Sequence, residues 1–165
     1  MDASELTEIE AIKRLKYAYM RCLDQKRFDE IGELFTDDAV AAYSGGKYEY
    51  HGRDEIVGFL KRTMSAETFL SSHRVHQPEI DLVGPSRATG TWAMDDVVVE
   101  TAWQITIRGS AFYEDEYAKA DDGRWRIVRT GYKRTYEEIQ PRAELPGLRL
   151  TASWWATDGR SELEA

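Results

Sequence analysis

SAFYEDEYAKADDGRWRIVRT, residues 110–130, decides how this chain folds. Asp122-Gly123 is a dipeptide that tolerates the left-handed backbone of a tight hairpin turn. Tyr113 and Tyr117 alternate with polar residues before it, and Trp125 and Ile127 alternate after it. Alternation on both sides of a turn predicts two antiparallel strands, placed at 110–119 and 124–135. Working outward, the extended pattern begins near Ser71, and further strands are expected near 72–84, 87–98 and 101–107.

The first third is different. Leu6, Ile9, Ile12, Leu15, Tyr19 and Leu23 recur at steps of three and four, which puts one apolar stripe on a helix. Thr7 with Glu10 fits a capping box, while Asp2 or Ser4 fits an earlier start. Phe28, Ile31, Leu34 and Phe35 form a shorter helix ending at Thr36-Asp37-Asp38. A third helix follows Gly52 and buries Ile56, Phe59, Leu60 and Met64. Two short strands, 39–43 and 47–51, flank a Gly45-Gly46 turn. Helices first and hairpin-linked strands afterwards is an α+β pattern. A long twisted sheet curling over about three N-terminal helices makes a cone that encloses an apolar cavity. The expected division is a cone domain over residues 1–140 and a C-terminal tail over 141–165. Leu148, Leu150, Trp154 and Trp155 in that tail are expected to cover a pocket or a neighbouring subunit, or to fold back on their own core.

The chain has 165 residues with 22 basic and 30 acidic side chains, a net charge of −8, which disfavours non-specific nucleic-acid binding. Its longest apolar run is Ala39–Tyr43, too short to span a bilayer. The acidic start lacks the pattern of a secretory signal, and Cys22 is the only cysteine. These features point to a cytoplasmic protein with neither nucleic acid nor membrane as partner.

Asp24 stands where the first apolar stripe stops, near the negative end of the helix dipole, where a carboxylate is disfavoured. It is either held there for function or caps the helix around Phe28. Tyr19 lies one turn earlier on the buried stripe, so its hydroxyl needs an internal partner. His73 and His76, three apart on a strand, point to opposite faces and cannot share a metal. An inward histidine beside a carboxylate is a natural general base, and a core histidine bonded to a carbonyl is the plainer alternative. Strand parity puts Asp96 on the apolar face with Ala88, Gly90, Trp92, Met94 and Val98, so it needs a partner from the basic strand that carries Arg124 through Arg134. Tyr43, Trp92, Trp103 and Phe112 are expected as cavity walls or as ordinary core.

Several of these pieces occur together in one known family. Tyr19-x4-Asp24, Leu34-Phe35-Thr36-Asp37-Asp38, Gly52-Arg53-Asp54-Glu55-Ile56, Ser72-His73, Trp92-Ala93-Met94-Asp95-Asp96, Tyr113-Glu114-Asp115-Glu116-Tyr117 and Gly123-Arg124-Trp125-Arg126-Ile127, in this order and spacing, resemble the SnoaL-like branch of the nuclear-transport-factor-2-like superfamily. The resemblance runs from about Leu6 to Tyr136. It is greatest to the scytalone dehydratase, bile acid 7α-dehydratase and hexachlorocyclohexane dehydrochlorinase group.

The resemblance implies a cone-shaped barrel with a deep cavity, and a homotrimer (or dimer) joined through the sheet and the tail. It implies a catalytic His–Asp pair at His73 and Asp24. Tyr19 matches a tyrosine of the bile acid enzyme, where the dehydrochlorinase has lysine. Asp96 and Arg134 match further polar site residues, giving a substrate-binding set with Tyr43, Trp92, Trp103 and Phe112. One departure stands out: scytalone dehydratase uses a second histidine on a later strand, and none follows His76 here. The implied activity is a lyase, dehydratase-like, with no cofactor and no metal, acting on a small hydrophobic, polycyclic or polyketide-like molecule. A non-catalytic ligand binder, an isomerase or cyclase, and an assembly subunit of a ring-hydroxylating oxygenase share the same fold.

Overall fold

The computed structural model describes residues 2–164. Met1 and Ala165, the outermost residues of the two expected segments, lie outside the described residues. Helix α1 (Ala3–Asp24) opens with a capping box between Asp2 and Glu5, the earlier of the expected starts. Its buried face begins at Ile12; Leu6, expected on the stripe, is exposed. Helix α2 (Phe28–Glu33) stops earlier than expected. Thr36, Asp37 and Asp38 belong instead to strand β1 (Phe35–Tyr43), which pairs with β2 (Tyr48–His51). Helix α3 (Arg53–Met64) buries Ile56, Leu60 and Met64 as the periodicity predicts.

The remaining chain is four long strands: β3 (Phe69–Leu82), β4 (Arg87–Glu100), β5 (Ile105–Lys119) and β6 (Trp125–Pro141). The expected strands 101–107 and 110–119 are a single β5, because residues 101–104 form the β4–β5 turn. The six strands run in the order β2-β1-β6-β5-β4-β3 in one curved, mixed sheet that does not close. All neighbours are antiparallel except β1 and β6. Gly123 (φ +76°) makes the β5–β6 turn. Gly131 lets β1 approach β6: a Cβ there would meet the Ala42 carbonyl oxygen at 2.6 Å.

Helices α1 and α3 pack on the inner face of the sheet. Parity holds along β4, where Ala88, Gly90, Trp92, Met94, Asp96 and Val98 are all inward, and along β5, where Ala111, Tyr113, Asp115 and Tyr117 are inward. Among the described residues no helix is long and apolar enough to cross a membrane. After a 3-10 turn (Arg142–Glu144) the tail runs back to the C-terminal end of α1, where the Lys26 ammonium lies 4.3 Å from the Trp155 ring.

Candidate active site

Asp24 ends α1 beside the edge strand β3, and all three hydrogen bonds it accepts come from that strand. Oδ1 accepts from Ser71 Oγ at 2.9 Å and from His73 Nδ1 at 2.7 Å, while Oδ2 accepts the His73 backbone N–H at 2.9 Å. The alternative role as cap of α2 does not hold, because the residue before that helix is Arg27 and no side chain caps it. An ionised carboxylate only accepts, so Nδ1 carries the proton and Nε2 is left with a free lone pair. Both side chains are largely buried, 12% exposed for His73 and 17% for Asp24. His76 faces the other side of the sheet and pairs with Asp95 at 3.0 Å in the open.

His73 lines a partly open cavity of about 180 Å³ between the sheet and α1 and α3. Tyr19, Tyr43, Tyr48, Phe59, Tyr113 and Tyr132 supply its aromatic wall, and Asp96 and Arg134 supply a polar end. The Tyr19 and Tyr43 hydroxyls are 2.8 Å apart. Burial pushes both phenols above their ordinary range, so they stay protonated and act as donors. Tyr43 is stacked on Phe59, with centroids 5.8 Å apart.

Asp96 takes both terminal nitrogens of Arg134, Oδ1 from Nη1 and Oδ2 from Nη2 at 2.9 Å. This is the bidentate fork that a buried carboxylate needs. Burial by itself lowers the Arg134 pKa, but the hydrogen bonds and charge of Asp96 outweigh it and hold the guanidinium above its usual range. Glu137, half-exposed, stands 3.1 Å from Arg134 Nε.

The expected residues Asp24, His73, Tyr19, Tyr43, Asp96 and Arg134 therefore meet at one place. Three others do not. Trp103 sits in the β4–β5 turn and is 76% exposed. Phe112 is exposed on the outer face, since the alternation that turns Tyr113 and Tyr117 inward turns Phe112 outward. Trp92 is inward and fully buried, but it packs away from the cavity, with Nε1 donating to Tyr117 Oη at 2.9 Å. Tyr113, Tyr132 and Phe59 line the cavity without having been singled out. The parity of Tyr113 was the available signal for one of them.

A second, more open groove of about 680 Å³ lies on the other side of β3, between α1 and the tail. Asp24, His73, Arg74, Leu150 and Trp155 border it, so the His–Asp pair forms the partition between groove and cavity.

Solved structures with the same architecture include a scytalone dehydratase-like protein of Novosphingobium aromaticivorans (TM-score 0.77, 23% identity, 98% of this chain and 100% of that one). Another is the hexachlorocyclohexane dehydrochlorinase LinA-type3 of Novosphingobium barchaimii (TM-score 0.76, 17% identity, 91% of this chain and 98% of that one). In sequence the chain is 21% identical over 144 residues to protein Rv2910c of Mycobacterium tuberculosis, covering 84% of this chain and 93% of that one. These likenesses show that the fold is shared. The model of the SnoaL-like domain matches residues 4–131, which run from the second residue of α1 past α3 and hold both Asp24 and His73, and the chain belongs to that family.

Proposed function

We propose that this protein is a cofactor-free lyase that removes water from a small hydrophobic hydroxy-ketone. The observation that carries the reading is the 2.7 Å contact between Asp24 and His73 at the wall of an aromatic cavity. His73 Nε2 takes the proton from the carbon next to the carbonyl, and the C–H electron pair moves to the carbonyl oxygen. The Tyr19–Tyr43 pair has two hydroxyl protons and spends one between its members. The other is donated to that oxygen as negative charge develops. The electron pair then returns, the β C–O bond breaks, and the His73 imidazolium gives its proton to the departing hydroxide. The products are an unsaturated ketone and water, with His73 restored.

The cavity is smaller than the roughly 300–1,000 Å³ of sites that enclose drug-sized ligands, so a one- or two-ring substrate suits it. Asp96 and Arg134 neutralise one another, and the lone pairs that remain on Asp96 suit a substrate hydroxyl.

The test is deuterium exchange and loss of water in a panel of one- and two-ring β-hydroxy ketones, followed by NMR in D₂O. General-base help is typically worth about 10²–10⁴-fold, so His73→Ala should lose that much with an unchanged thermal melt. A variant that exchanges and dehydrates at the wild-type rate would end this reading.

A further inference from the structure

Beneath the cavity floor lies a charge that the mechanism above leaves unused. Lys16, on α1 one turn before Tyr19, is 0% exposed. Its Nζ is 2.7 Å from Asp115 Oδ2 but makes no well-directed hydrogen bond. The same nitrogen stands 3.4 Å from the centroid of the Tyr113 ring and 5.2 Å from that of Tyr19. Asp115 is held by two further donors, the hydroxyls of Tyr117 and Thr130, each at 2.7 Å. The ammonium is thus fixed against the face of one particular tyrosine.

Stability alone is a poor reason for such a pair, since replacing a buried ion pair with apolar side chains is often neutral or favourable. Tyr113 itself lines the cavity. Its other close ring contact is the edge of Tyr132, with centroids 5.3 Å apart, and among the described residues its hydroxyl has no hydrogen-bond partner. Burial pushes its pKa well above the ordinary value, so the proton stays on the oxygen.

We infer that Tyr113 is a further hydrogen-bond donor to the substrate oxygen that gains negative charge, and that Lys16 strengthens it through the ring as a positioning residue. A cation over a phenol face draws electron density from the ring, and its influence is greatest where water is excluded. When an oxyanion pulls on the Tyr113 hydroxyl, negative charge spreads onto the phenol and meets the ammonium. A neutral carbonyl pulls far less. The contribution is therefore larger for the charged intermediate than for the ground state, which is what accelerates a step. This rests on the cavity being the active site proposed above.

The experiment uses the full chain with 4-nitrophenol, whose anion absorbs in the visible, and 4-nitrotoluene as its neutral counterpart. Titrations compare wild type, Tyr113→Phe, His73→Ala and the double variant Lys16→Met/Asp115→Asn, which removes both charges and leaves neither unpaired. Wild type should bind the anion with a shifted absorbance. Tyr113→Phe and the double variant should each bind it roughly tenfold or more weakly, with 4-nitrotoluene affinity unchanged. Adding Tyr113→Phe to the double variant should cost little more.

Anion affinity equal to wild type in Tyr113→Phe overturns the inference, and so does a wild type that takes up only the neutral form. If the double variant fails to fold, Tyr113→Phe still decides the donor. A rescue series, Lys16→Arg against Lys16→Gln, then decides the role of the charge: anion affinity equal in the two variants overturns it. His73→Ala should keep the anion affinity and lose turnover. Retained turnover there defeats the lyase reading without touching this result.

Discussion

His73 on β3 and Asp96 on β4 are register partners on the inner face of the sheet. Directly opposed residues of antiparallel strands stand about 4.5–5.5 Å apart at Cα, so His73 and the polar end of the cavity are tied by the ladder itself. A one-residue slip of β3 against β4 would turn His73 away from the cavity while Asp96, held by β5, stayed. The pairing thus makes the geometry of this site a property of sheet register.

Asp24→Asn should keep the fold and lose activity. An amide can still accept from Ser71, but it no longer fixes which ring nitrogen of His73 carries the proton. A loss of about 10²–10⁴-fold is expected, the scale of general-base help. Nitrogen-15 NMR of the imidazole checks it: the wild-type ring should show protonated Nδ1 and bare Nε2, and the variant a mixture.

Removing one member of the Asp96–Arg134 fork should be worse than removing both. Asp96→Ala leaves a largely buried guanidinium without its carboxylate, a loss of the order of 3–5 kcal/mol for a broken buried pair. The double variant Asp96→Leu/Arg134→Met should recover most of that stability in urea unfolding. Equal destabilisation of the two variants would show that the fork is held for packing alone.

Alkaline pH should unfold the protein through its buried phenols. Burial raises Tyr19, Tyr43, Tyr113 and Tyr117 above the ordinary value of 10.0. The folded state then keeps protons that the unfolded state releases. This contribution to stability is whole below about pH 10 and declines as pH rises beyond it. Absorbance of tyrosinate near 295 nm should show the exposed tyrosines titrating first, and the buried four only in one cooperative step with the loss of near-UV circular dichroism.

The outer face of the sheet and the tail expose Val97, Phe112, Tyr136 and Trp154. Patches of this kind are normally covered. A homotrimer is expected by native mass spectrometry, and Phe112→Glu should shift it toward monomer while leaving the cavity residues in place.

The helices, the inward face of β4 and the β5–β6 hairpin were legible in the sequence because each is a local pattern. So was the approach of Asp96 to a basic strand, since a buried carboxylate demands a partner. Resemblance, rather than pattern, brought Asp24 to His73: they come from a helix end and an edge strand, and no local rule joins those. Trp103 shows the limit of composition, because a large aromatic can stand in an exposed turn as well as in a cavity wall. The merging of two expected strands into β5 turned on Thr101–Gln104, a turn without the Gly or Pro that usually marks one. Lys16 lay unnoticed inside an apolar stripe because its partner, Asp115, is distant in sequence.

The parallel contact between β1 and β6 also bears on how the molecule is made. Val40 pairs with Arg129 and Ala42 with Gly131, so a strand formed early in synthesis waits for the last one to emerge. Closing so long a loop precedes any reward from the contact, which makes this the slow event of folding. Tyr43, borne by β1, reaches Tyr19 and Tyr113 only once that seam is joined. A nascent chain is therefore expected to lack this pocket until β6 has left the ribosome.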